Sequence, residues 1–129
     1  MIFKQVFDTK SSTYTYIIAS GKGREALIID PVIENVENYI ELLNELDLKL
    51  VKVIDTHIHA DHVTGANKLK QATNCSTLMG EHTPADAVEI KVKDDEIIKI
   101  DQIEIKAMYT PGHTSDSYSF LMDNYLFSG

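Results

Sequence analysis

Cysteine occurs once among the 129 residues, at Cys75, which excludes an intrachain disulfide and a thiolate metal cluster. Any metal bound here must be held by histidine and carboxylate. Basic charge is also scarce: 12 Lys and Arg face 20 Asp and Glu, a formal net charge of -8. No basic stripe is present to displace counterions, so nucleic acid is excluded as a general partner. Long apolar runs are missing too. Ala26-Leu27-Ile28-Ile29 is strand length, far short of a bilayer span, and membrane insertion is not expected. Met1 leads directly into Ile2-Phe3-Lys4-Gln5-Val6-Phe7, without a basic n-region or an Arg-rich presequence, and a cytoplasmic location is the expectation. Repeats, low-complexity tracts and linkers are absent. With 43% hydrophobic and 25% charged residues, the composition is that of an ordinary globular protein, one domain or a large part of one.

What the sequence does have is a mixed pattern of short strands and two or three helices, an α+β chain. Tyr14 to Ile18 and Ala26 to Ile29 flank Ser20-Gly21-Lys22-Gly23 and read as a hairpin. Val36, Tyr39, Ile40 and Leu43 recur at helical spacing behind Asn35, a residue type suited to an N-cap, which predicts a helix over 35–47. Leu50 to Ile54 reads as a buried strand, and 62–73 as a second helix with a thin apolar face. Thr77 to Met79, Ile97 to Ile100, Ile103 to Tyr109, Tyr118 to Met122 and Tyr125 to Phe127 read as further short strands, the last two joined by Asp123-Asn124.

Histidine is concentrated. Three of the five histidines and two aspartates fall in "VIDTHIHADHVTG", residues 53–65, just past the end of a strand. His57 and His59 are two apart and point the same way from an extended segment, and Asp61 and His62 follow where a helix is expected to start. This imidazole and carboxylate set suits Zn, Fe or Mn. The plain alternative is a solvated loop in which Asp61 only caps the helix. Four ligand-type residues within six positions favour a metal. Downstream, the Pro111-Gly112 turn projects His113 from a strand end, a weak signal alone that gains weight because one loop rarely completes a coordination sphere. His82, before Thr83-Pro84, reads as structural or exposed. Asp30 reads either as a turn residue or as a hydrogen-bond partner of the site, and Ser115, Asp116 and Ser117 either as such partners or as strand caps. Cys75 reads as an inert thiol.

The run Thr56-His57-Ile58-His59-Ala60-Asp61-His62, followed by Thr110-Pro111-Gly112-His113-Thr114, resembles the metallo-β-lactamase superfamily, whose hallmark is His-x-His-x-Asp-His plus a later Gly-His. Ser11 to Tyr16, Ile29-Asp30-Pro31-Val32, His59-Ala60-Asp61-His62-Val63-Thr64-Gly65 and Pro111 to Phe120 look like its persulfide dioxygenase family. The thioester hydrolase glyoxalase II more typically has a bulky aromatic where Ala60 stands, and a second Gly-His where this chain has Asp116-Ser117.

The resemblance implies an αββα sandwich, of which residues 1–129 are roughly the first αβ half, the N-terminal portion of the domain. It implies one Fe(II) per intact subunit, with His57 and His113 as metal-binding catalytic residues and His59, Asp61 and His62 as a polar surround. Glutathione persulfide and O2 would be the substrates, and sulfite and glutathione the products. The family's third ligand, an aspartate, would follow a strand like Tyr125-Leu126-Phe127, beyond Gly129, so the chain alone is expected to bind iron weakly and turn over little. The hydrolase alternative is two Zn ions, with His57, His59 and His113 on one and Asp61 and His62 on the other. A third alternative is a catalytically silent scaffold. A half-sandwich is also expected to expose the apolar sheet face that meets its other half, and to form a homo-oligomer through it.

Overall fold

A computed structural model describes residues 1–57, 64–83, 88–112 and 114–128. Its elements in chain order are strands β1 (Ile2–Asp8), β2 (Thr13–Ala19) and β3 (Glu25–Ile29), helix α1 (Val36–Glu45), strand β4 (Lys49–Ile54) and helix α2 (Ala66–Thr73). Strands β5 (Ser76–Gly80), β6 (Ile90–Val92), β7 (Ile97–Ile100), β8 (Ile103–Tyr109), β9 (Tyr118–Met122) and β10 (Tyr125–Phe127) follow.

Two sheets form. The first has six strands in the order β1-β2-β3-β4-β5-β6, and the second has four, β10-β9-β8-β7. Strands β1 to β3 pair antiparallel, whereas β3 to β6 pair in parallel, so β3, β4 and β5 end at the same edge. Parallel sheets collect functional loops at the carboxyl ends of their strands, and the histidine loop leaves from this edge.

Alternation along each strand divides the core in two. Ile17, Ala19, Ala26, Ile28 and Val53 face the helices and meet Val36, Tyr39, Leu43 and Leu69. Ile18, Leu27, Ile29, Ile54 and Leu78 face the second sheet and meet Ile98, Ile105, Ala107, Phe120 and Met122. The expected bare sheet face is therefore absent. The inner face of the six-stranded sheet is buried beneath the four-stranded one, so among the described residues it is covered by the chain itself. The chain is the expected mixed α+β fold, a layer of two helices on a six-stranded mixed sheet, with a four-stranded sheet on its other face. Pairing along the sequence explains this, since β7 to β10 form their own antiparallel meander and fold onto β3 and β4 as a unit. The two sheets are also joined at their rims. Asp101 accepts from the Glu25 N–H at 2.9 Å, Glu25 accepts from the Asp101 N–H at 3.2 Å, and Lys52 donates to the Lys99 carbonyl at 2.6 Å.

Local outcomes differ from the sequence expectations in instructive ways. The helix expected over 35–47 occupies Val36–Glu45 after a 3-10 turn at Ile33–Asn35. Asn35 precedes α1 without capping it; its side-chain amide donates instead to Asp8 Oδ1 at 3.1 Å. The helix expected over 62–73 runs Ala66–Thr73, with residues 62 and 63 outside the described residues. It ends at Asn74, whose left-handed φ of 59° suits an asparagine. Strands β1 and β6 were not anticipated.

Cys75 lies in the helix-side core at 2% exposure, and burial pushes its thiol up from the ordinary value. Native protein at pH 8 is expected to resist iodoacetamide and to react rapidly once unfolded in urea; rapid native alkylation would contradict this packing. At Gly80 a Cβ would fall inside the Tyr118 ring, which is fully buried. Gly80→Ala is expected to cost about 1–3 kcal/mol in urea unfolding, the usual range for overpacking.

Candidate metal centre

The turn after β3 builds the site. Asp30 adopts a left-handed φ of 55°, a conformation that aspartate tolerates better than most residues. Three neighbours hold it there. The Asp30 N–H donates to the Ile54 carbonyl at 2.8 Å, and the Thr15 hydroxyl donates to the Asp30 carbonyl at 2.7 Å. The buried Tyr39 hydroxyl lies 3.0 Å from Thr15 Oγ1 and accepts from the Val32 N–H at 3.1 Å. Since the Thr15 proton is committed to Asp30, Tyr39 donates to Thr15.

This turn aims the Asp30 carboxylate across to the end of β4. Oδ1 accepts from the Thr56 N–H at 2.8 Å and Oδ2 from the Thr56 hydroxyl at 2.9 Å. Thr56 Oγ1 also lies 2.9 Å from His57 Nδ1. A hydroxyl has a single proton, and Thr56 gives its own to Asp30, so it can only accept from His57. Nδ1 therefore carries the imidazole proton, and the Nε2 lone pair is the ligating one. His57 is 5% exposed, and the tautomer is the one that metal-binding histidines take when their other nitrogen donates to the protein.

The same turn clamps the far end of the loop. The Thr64 hydroxyl lies 2.9 Å from both carboxylate oxygens of buried Asp55, the Gly65 N–H donates to the Pro31 carbonyl at 2.9 Å, and Val32 and Thr64 form an isolated bridge. Residues 58–63, which contain His59, Asp61 and His62, lie outside the described residues.

A second loop arrives from the other sheet. The Tyr118 N–H donates to the Thr56 carbonyl at 2.8 Å, which brings the start of β9 against the residue before His57. The loop between β8 and β9 is closed at its base by Thr110 N–H to the Ser117 carbonyl, 3.0 Å, and by the Thr110 and Ser119 hydroxyls, 2.7 Å apart. Within it Thr114 bonds Asp116 and Ser117, both at 2.6 Å. His113 lies outside the described residues. Among the described residues no three metal-ligating side chains gather, His57 being the candidate ligand they include. Its buried, oriented Nε2 fits a metal.

The family model of the Metallo-beta-lactamase superfamily matches residues 8–129. The chain belongs to the metallo-beta-lactamase superfamily. Membership implies metal binding, and the oriented His57 accords with it. The superfamily chain is also 32% identical over 126 residues to a Bos taurus protein named persulfide dioxygenase ETHE1, mitochondrial, covering 97% of this chain and 49% of that protein. The crystal structure of ETHE1 from Myxococcus xanthus superposes with a TM-score of 0.93 at 39% identity, over 98% of this chain and 56% of that one. A Dictyostelium discoideum hydroxyacylglutathione hydrolase is 29% identical over 113 residues, 86% of this chain and 41% of that protein. The chain thus spans about half the length of the curated relatives it matches.

Asp30 was left open in the sequence and proves to be both turn and hydrogen-bond partner. The signal that could have found it is Asp30-Pro31 at a strand end, one strand from the histidines. His82, read as structural or exposed, is exposed yet anchored at the same sheet edge. Thr56→Val keeps the shape of the side chain and removes its hydroxyl. Its affinity for Co(II), followed by absorption spectroscopy, is expected to drop about 10- to 100-fold, with Thr56→Ser close to the native protein. Equal affinity in folded Thr56→Val would contradict the role given to the hydroxyl.

Proposed function

We propose that the protein carrying this chain is an iron-dependent persulfide dioxygenase, and that residues 1–129 form the N-terminal portion of its metallo-β-lactamase domain. The reaction combines glutathione persulfide, O2 and water to give glutathione, sulfite and two protons. The sulfane sulfur loses four electrons and O2 gains them. The observation that carries this reading is the likeness, along nearly all of this chain, to about half of each of two ETHE1 proteins, one of them named a persulfide dioxygenase.

In this reading His57 and His113 are direct ligands to a single Fe(II), and His59, Asp61 and His62 form a polar surround. Bound iron supplies a redox-active centre with open positions where a sulfur and dioxygen can meet. The chain's own residues do the rest. Thr56 and Asp30 keep the proton of His57 on Nδ1, so that ligation needs no proton loss. The hydrogen bond from Tyr118 to Thr56 holds the loop of His113 beside His57. The likeness to hydroxyacylglutathione hydrolase supports a second reading, a dinuclear zinc thioesterase using all five residues.

Elemental analysis and an oxygen electrode separate the two. One iron per protein and O2 uptake with glutathione persulfide are expected. His57→Ala and His113→Ala should each lower turnover by more than about 100-fold, beyond the range for loss of an outer partner. Two zinc ions with thioester hydrolysis and no O2 uptake would contradict the proposal.

A further inference from the structure

His82 follows the end of β5, the strand beside β4, and therefore stands at the same sheet edge as His57. Its side chain is exposed but fixed. The imidazole stacks on Tyr109 with ring centroids 3.7 Å apart and planes 4° from parallel, and its Nδ1 lies 3.0 Å from the Tyr118 hydroxyl. Tyr109 ends β8 and Tyr118 begins β9, so the ring is gripped by both stems of the loop that carries His113. Tyr109 is itself tied down, donating from its hydroxyl to the Ser115 carbonyl at 2.8 Å and from its N–H to Asp94 Oδ1 at 2.8 Å. Gly80 leaves the space in which the Tyr118 ring lies.

This arrangement sets the proton of His82. Tyr118 is fully buried, and among the described residues its hydroxyl has His82 Nδ1 as its hydrogen-bond partner. Burial, then the charges of Glu81 and Asp94, push the phenol up, and among the described residues its buried proton has no other acceptor than Nδ1, to which it is donated. With Nδ1 accepting, the N–H of the His82 ring is at Nε2, which has no hydrogen bond among the described residues. An oriented N–H donor is presented at the sheet edge from which the histidine loop leaves. The nearby carboxylates of Glu81 and Asp94 disfavour an anion there and favour a neutral acceptor.

We propose that His82, held by Tyr109 and Tyr118, is a substrate-positioning residue whose Nε2–H donates to a peptide carbonyl of the glutathionyl substrate. The inference rests on the proposed function for the identity of that substrate, and the geometry supplies the donor. A preorganised donor on rigid elements loses little entropy on binding, which is why an exposed histidine so firmly held is suited to recognition.

The test uses the iron-loaded intact protein and two readouts. In steady-state kinetics, His82→Ala is expected to raise KM for glutathione persulfide about 3- to 12-fold, the worth of one hydrogen bond, with kcat and iron content within about twofold. His82→Gln keeps an N–H donor and should recover most of the loss. Unchanged KM in His82→Ala, or joint loss of iron and kcat without recovery in His82→Gln, overturns the proposal. Independently of turnover, titration of the native protein with unreactive S-methylglutathione should shift the His82 imidazole nitrogen resonances to saturation. No shift overturns the proposal even if the variants fail to fold. A protein that shows the shift but never consumes O2 would uphold this role while removing the dioxygenase reading.

Discussion

A carboxylate, a hydroxyl and an imidazole joined in series govern the chemistry available to this chain. Asp30 accepts both Thr56 protons, Thr56 in turn accepts from His57, and the imidazole is left with one tautomer and one orientation. The burial of all three residues makes the series strict, because none can turn to water for an alternative partner. A solvated histidine would exchange tautomers and rotamers and would offer a metal either nitrogen. Here the choice is made before any metal arrives.

The fold is arranged around that series. Asp30 reaches Thr56 because β3 and β4 run parallel and end together, and because the left-handed turn is pinned by Thr15 and Tyr39. The residues after Asp30, Pro31 and Val32, hold the far end of the histidine loop through Gly65 and Thr64. One turn therefore fixes both ends of a loop it does not belong to. The second sheet completes the edge by bonding Tyr118 to Thr56, and it also covers the apolar face on which the first sheet depends. Packing and the Asp30, Thr56 and His57 series thus share the same elements.

Much of this was legible beforehand. The β2–β3 hairpin, α1, β4 and the strands of the second sheet follow from local pattern, and the histidine motif paired with Thr110 to Thr114 carries the resemblance to the superfamily. What escaped was non-local. Strand β1 is amphipathic only weakly and exists because all seven of its residues pair with β2. Strand β6 is three residues long and borrows its register from β5. The strands from Ile97 onward were recognised, but the pattern of one strand says nothing of which sheet it joins, and so the covered face was expected to be bare. Asp30 and His82 were ambiguous for the same reason. Their partners, Thr56 and Tyr118, lie 26 and 36 residues away.

Nitrogen-resolved NMR of the His57 imidazole in metal-free protein at neutral pH tests the central claim most directly. The series predicts a proton on Nδ1, held by Thr56, and a mixture of tautomers once Thr56 is changed to valine. A native His57 protonated on Nε2 alone would contradict it.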